Sequence, residues 1–111
     1  MSLVAAQDTF AQNVAKLLIF IHEKKYRVTL GEAFRTLEQA QIYAKEGKGI
    51  TDSLHCKRLA IDLNLFNPSG VYLTDSKEYQ LFGIYWEQLD PLNRWGGHFK
   101  RADGNHFEMN A

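Results

Sequence analysis

Hydrophobic positions near the start of the chain recur at helical spacing. Phe10, Val14, Leu17, Leu18 and Ile21 share one side of a helical wheel, with Gln12, Asn13 and Lys16 elsewhere around it. This predicts an amphipathic helix whose stripe faces a core. The period then changes, because Tyr26, Val28 and Leu30 alternate with Arg27 and Thr29, the pattern of a half-buried strand. Thr36 with Gln39 forms a capping-box sequence for a second helix running to about Gly47. Glu46 to Asp52 carries glycines and few large apolar groups, so it reads as an exposed loop.

Leu59 to Phe66 is the clearest strand: Leu59, Ile61, Leu63 and Leu65 share one face, and Ala60, Asp62 and Asn64 the other. Asn67-Pro68-Ser69-Gly70 predicts a turn, with Val71-Tyr72-Leu73 returning as a strand. Asp75 with Glu78 caps a third helix that buries Tyr79, Phe82, Trp86 and Leu89 and stops at Pro91. Short strands follow around Trp95 and from Asn105 to Met109. No repeat, low-complexity tract or linker interrupts the chain. The expected class is α+β, a small antiparallel sheet with about three packed helices in a single compact domain spanning residues 1–111.

Composition narrows the functions this fold can serve. Thirteen basic residues balance thirteen acidic ones, which argues against a strongly electrostatic nucleic-acid binder. The lone cysteine, Cys56, rules out an internal disulfide and fits a reducing compartment. The most apolar run, Leu17 to Ile21, is too short to span a bilayer and lacks the flanks of a secretory signal, so cytoplasmic residence without membrane insertion is expected.

The chemistry lies in two separated stretches. Ser53-Leu54-His55 precedes Leu59-Ala60-Ile61-Asp62, and Asp103-Gly104-Asn105-His106-Phe107-Glu108 lies near the end. Two imidazoles and a carboxylate suit a catalytic zinc, because three protein ligands leave a fourth position open. Such a site brings the pKa of water from about 15.7 towards roughly 7. His55 precedes Asp62 by seven residues, so an uninterrupted strand would send the two side chains to opposite faces. A turn within Cys56 to Arg58 has to swing His55 back. His106 and Glu108 share a strand face, while Phe107 and Met109 point into the core. The spacing permits a common site without requiring one.

These pieces, with Trp95-Gly96-Gly97 between them and Gly31-Glu32-Ala33-Phe34-Arg35-Thr36 before them, resemble the zinc D,D-peptidase family that includes VanX and VanY (peptidase M15). Within it the likeness is to the short L-alanyl-D-glutamate peptidases found as bacteriophage endolysins. It extends over about residues 26–109. The resemblance implies one zinc per chain held by His55, Asp62 and His106, general acid/base work by Asp103, and oxyanion stabilisation by Arg35. Ser53, Glu108 and His98 are candidates for supporting contacts around the ligands, and Glu108 is also the rival base. Arg58 departs from the family, where many relatives carry glycine, and arginine takes a positive φ only at a cost. His22 lies at a helix end where the dipole favours a cation, and Cys56 is expected to be an inert thiol pointing away from the site.

The function implied is hydrolysis of a peptidoglycan stem peptide by a monomeric phage or prophage endolysin. It would need no nucleic acid and would wait in the cytoplasm until released to the cell wall. Two alternatives stay open: a D-alanyl-D-alanine carboxypeptidase or dipeptidase with the same chemistry, and a non-catalytic zinc-binding module.

Overall fold

The computed structural model describes residues 1–111. The predicted periodicities become helices α1 (Leu3–Glu23), α2 (Leu37–Lys45) and α3 (Gln80–Leu89). The strands are β1 (Arg27–Leu30), β2 (Ala60–Phe66), β3 (Asn93–Trp95) and β4 (His106–Met109). All pairings are antiparallel, in the sheet order β1-β2-β4-β3. The class is α+β, as the alternating periods predict.

The helix stripe and the strand faces meet in one core. Phe10, Leu17 and Ile21 of α1 join Phe82 and Trp86 of α3 against Ile61, Leu63, Leu65, Phe107 and Met109 of the sheet. Each fully buried residue of this size contributes about 1.5–3 kcal/mol of transfer free energy, and α1 and α3 supply it from the same side. Trp86 ties the layers with a polar contact, its Nε1 donating to the Glu108 carbonyl at 3.0 Å. The opposite sheet face, carrying Asp62, His106 and Glu108, is left for a polar site.

Thr36 caps α2 by accepting from Gln39 N at 3.1 Å. The Asp75–Glu78 capping box forms as well, but it opens a 3₁₀ turn over Ser76–Tyr79, and α3 starts only at Gln80. Two strand expectations change. Leu30 ends the edge strand β1 beyond the cover of the helices and is 66% exposed. The segment Val71–Leu73 makes one bridge, Phe66 to Tyr72, instead of a returning strand. The Tyr79 hydroxyl enters the space between the chains there, accepting from Leu65 N at 3.2 Å and donating to the Leu73 carbonyl at 3.0 Å. It stands in for one ladder bond, while Leu73 N still donates to the Leu65 carbonyl at 2.9 Å. No helix is long and apolar enough to cross a membrane.

Candidate active site

Strand register builds the site. β2 and β4 pair so that Asp62 lies directly opposite His106, and Ala60 opposite Glu108. A slip of one residue would turn these side chains to the core and Phe107 to water. His55 arrives from a 3₁₀ turn over Leu54–Lys57, which Ser53 caps by accepting from His55 N at 3.2 Å. The turn closes at Arg58, whose φ of 57° and ψ of 37° lie in the left-handed region. This is the swing that the spacing from His55 to Asp62 demands. Glycine would take it freely; here arginine takes it, with its guanidinium 4.1 Å from the Phe34 ring centre.

The result is a tight trio. His55 Nε2 lies 3.4 Å from Asp62 Oδ1, and His106 Nδ1 lies 3.2 Å from the same oxygen. One ligand-type atom from each of the three residues lies within 4.8 Å of the others. Tetrahedral zinc with bonds of about 2.0–2.1 Å has ligand–ligand edges of about 3.3 Å, so the donor set fits a metal ion. The remaining nitrogen of each imidazole is turned to a carboxylate. His106 Nε2 donates to Glu108 Oε1 at 2.7 Å. His55 Nδ1 is buried without a hydrogen-bond partner, 3.7 Å from Glu32 Oε1.

Electrostatics follow from this packing. Burial opposes charge on Asp62, but hydrogen bonds from His106 and His55 and their charges outweigh it and lower its pKa to about 2. Burial likewise opposes charge on His106, yet the hydrogen bonds to Asp62 and Glu108 prevail and raise it to about 9. Glu108, whose burial is offset by His106 and Arg94, is held below the usual carboxylate range. Asp103 moves the other way: partial burial raises its pKa, the charge of His106 pulls against that, and Asp62 adds to the rise.

Asp103 stands on the wall of the same cleft, a hollow of about 410 Å³ that also exposes Arg35, Lys48 and Arg94. Its backbone is pinned at both ends: Asp103 N donates to the Gly96 carbonyl at 2.9 Å, and its own carbonyl accepts from His106 N at 3.1 Å. Gly96 is required by that crossing, since a Cβ there would lie 2.2 Å from the Asp103 carbonyl oxygen. Arg35 Nε donates to Glu32 Oε1 at 2.7 Å, and its guanidinium lies 5.0 Å from the Tyr43 ring centre.

A family profile described as D-alanyl-D-alanine carboxypeptidase, of the M15 peptidases, matches residues 46–109, more than half of the chain. The chain belongs to this family. As an M15 member it is a metallopeptidase, and the matched stretch contains His55, Asp62, Asp103 and His106. Among solved structures it is similar to the L-Ala D-Glu endopeptidase ChiX of Serratia marcescens, at 19% identity and a TM-score of 0.74. That similarity covers 90% of this chain and 77% of the other, and it shows a shared fold. No curated protein matches the sequence significantly.

The M15 chain brings His55, Asp62, His106, Asp103, Arg35, Ser53 and Glu108 to one region. His98 is elsewhere: its Nδ1 pairs with Glu87 at 2.9 Å and its ring meets the edge of Trp95. Cys56 is half-buried, its Sγ 4.0 Å from the Thr36 carbonyl oxygen and so turned to the start of α2. Two residues of the site carry no sequence signal strong enough to single them out. Glu32 lies between Arg35 and His55, and only its i,i+3 spacing from Arg35 hints at this. Arg94 pairs with Glu108 across two strands.

Proposed function

We propose that this chain is a zinc-dependent monomeric peptidase that cuts the stem peptide of bacterial peptidoglycan at the L-alanyl–D-glutamate bond, in the setting of phage or prophage lysis. The observation that carries the reading is the convergence of His55 Nε2, Asp62 Oδ1 and His106 Nδ1 within one cleft that Asp103 and Arg35 also line. Held by those three residues, zinc would act as a Lewis acid on the scissile carbonyl and lower the pKa of the attacking water towards roughly 7.

The chain's own residues do the rest. Asp103 accepts the proton of the attacking water and returns it to the leaving amine. Partial burial raises its pKa above the usual carboxylate value, the direction that favours taking up a proton. Arg35 meets the negative charge that develops on the carbonyl oxygen, and Glu32 keeps its guanidinium fixed so that little reorganisation is needed at that moment. Glu108 orients His106 through Nε2, and Ser53 stabilises the turn that carries His55.

The family description favours a second reading, removal of a terminal D-alanine by the same residues. Lys48 at the cleft rim is a cation of the kind a free terminal carboxylate needs. Mass analysis of muropeptides after digestion of purified wall separates the two. A new amino-terminal glutamate marks the endopeptidase and loss of terminal alanine the carboxypeptidase. Intact muropeptides after treatment with zinc-loaded protein would sink both.

A further inference from the structure

β3 is an edge strand that sends alternate side chains to opposite faces. Asn93 and Trp95 are buried, and Arg94 between them emerges on the face of the candidate ligands. Register sets Arg94 directly across from Glu108. Its Nε donates to Glu108 Oε2 at 2.7 Å, and Nη2 pairs with the same oxygen. The other oxygen, Glu108 Oε1, accepts from His106 Nε2 at 2.7 Å. His106 Nδ1 then faces Asp62 and the metal position. An unbroken chain of contacts therefore runs from the cleft rim through Glu108 and His106 to the metal position.

Burial distinguishes the two ends of this chain. The Glu108 side chain is 8% exposed and that of Arg94 48%. A carboxylate so enclosed needs a donor at each oxygen. Without Arg94 the Oε2 atom loses its donors, and Glu108 can rotate until its hold on His106 loosens. Contacts of this outer kind fix the tautomer, orientation and basicity of a ligand imidazole. Arg94 itself is stiffly mounted, because Trp95 beside it is 3% exposed and donates through Nε1 to the Gly104 carbonyl at 2.7 Å.

We propose that Arg94 is a positioning residue of the metal site: by holding Glu108 in one rotamer it fixes the ring of His106 towards the metal. The inference rests on the reading of His106 as a ligand. Its rival is an ordinary cross-strand ion pair, which adds a little stability and nothing else.

The test measures zinc affinity of the full chain by competition with a chromophoric chelator, in wild type, Arg94→Met, Arg94→Lys, Glu108→Gln and the double variant Arg94→Met/Glu108→Gln. Arg94→Met is expected to weaken zinc by roughly tenfold, the lower end of the effect of removing such outer contacts. Arg94→Lys should lose less, since it keeps the charge without the planar fork. In the Glu108→Gln background the Arg94→Met effect should vanish, because both act through one contact. The visible bands of the cobalt(II)-loaded protein should shift in Arg94→Met, reporting a moved ligand. Urea midpoints of the metal-free variants read stability separately, and an ordinary ion pair would change these alone. Zinc affinity of Arg94→Met within twofold of wild type, or an equal loss in both backgrounds, overturns the proposal. If Arg94→Met does not fold, Arg94→Lys in the two backgrounds makes the same comparison. Wild type that binds zinc but hydrolyses no stem peptide sinks the peptidase reading and leaves this one standing; wild type that binds no zinc sinks both.

Discussion

Asp103 and Glu108 flank His106 in sequence, and their different surroundings underlie the roles proposed for them. Glu108 is buried, bonded to His106 and Arg94, and held ionised. Asp103 is exposed at the cleft wall with its proton affinity raised. A base needs access and a pKa moved towards the working pH; an orienting group needs neither. Asp103→Asn should therefore fold and bind zinc normally while hydrolysis falls about 10²–10⁴-fold. Glu108→Gln should weaken zinc and cost less turnover once the metal is saturating. Full activity in Asp103→Asn, with a zinc-loaded but inactive Glu108→Gln, would transfer the role to Glu108. Arg35→Ala should lower kcat and kcat/KM together and leave zinc content unchanged, as loss of a contact made only in the transition state does. A rise in KM alone would remove Arg35 from the oxyanion.

At the scale of elements, the Trp95-Gly96-Gly97 stretch explains how a short strand and a loop serve the site together. Trp95 packs its ring where Gly83 and Gly97 leave no room for a Cβ, each building one within 2.1 Å of that ring. Gly96 lets its carbonyl receive Asp103 N while the 96–103 loop folds back on β4. Gly96→Ala places a methyl against both the Asp103 carbonyl and the His106 Cβ, 2.9 Å away. It should lower the urea-unfolding free energy by about 1–3 kcal/mol, the usual cost of overpacking, and weaken zinc binding as His106 shifts. Wild-type zinc affinity and stability in that variant would show that the loop has slack the backbone contacts do not suggest. Arg58 makes the complementary point, since tertiary contacts hold an arginine at a left-handed φ of 57° that glycine takes freely.

For the whole molecule the site ties stability to pH. In the metal-free protein the His106 pKa is raised to about 9 from its ordinary 6.5, so its contribution is complete below about pH 6.5 and is lost as pH rises through about 9. Asp62 is lowered from 3.8 to about 2, so its contribution is present above about pH 4 and is lost as pH falls towards 2. The two contributions are both complete between roughly pH 4 and 6.5. Urea titrations of metal-free Asp103→Asn protein, which lacks the opposing effect of a carboxylate whose pKa is raised, should therefore give a plateau there, falling on both sides. If His106 is a ligand as proposed, zinc binding would displace a proton from it, so apparent zinc affinity should rise about tenfold per pH unit below pH 9. Calorimetry in buffers of different ionisation enthalpy counts the released proton. Zinc affinity flat between pH 6 and 8 would exclude His106 as a ligand that is charged when free.

Much of the fold was written in local periods. The α1 stripe, the alternation of β2 and the caps at Thr36 and Asp75 each report a preference set by residues a few positions apart, so sequence alone determined the helices, the main strands and the α+β class. It also determined which residue types could form the site and that the chain must turn between His55 and Asp62. Tertiary structure decided the rest, because register and burial are properties of segments far apart in the chain. Pairing of β2 with β4 set Asp62 opposite His106, and pairing of β4 with β3 gave Glu108 its partner Arg94, which no local pattern marks. Helix cover left Leu30 in water, and the Tyr79 hydroxyl took one bond, from Leu65 N to the Leu73 carbonyl, that a returning strand at Val71–Leu73 would have made. His98, beside Gly96 and Gly97, was turned to Glu87 by the path of the loop. Spacing along a chain limits which side chains can meet; packing between distant segments selects the ones that do.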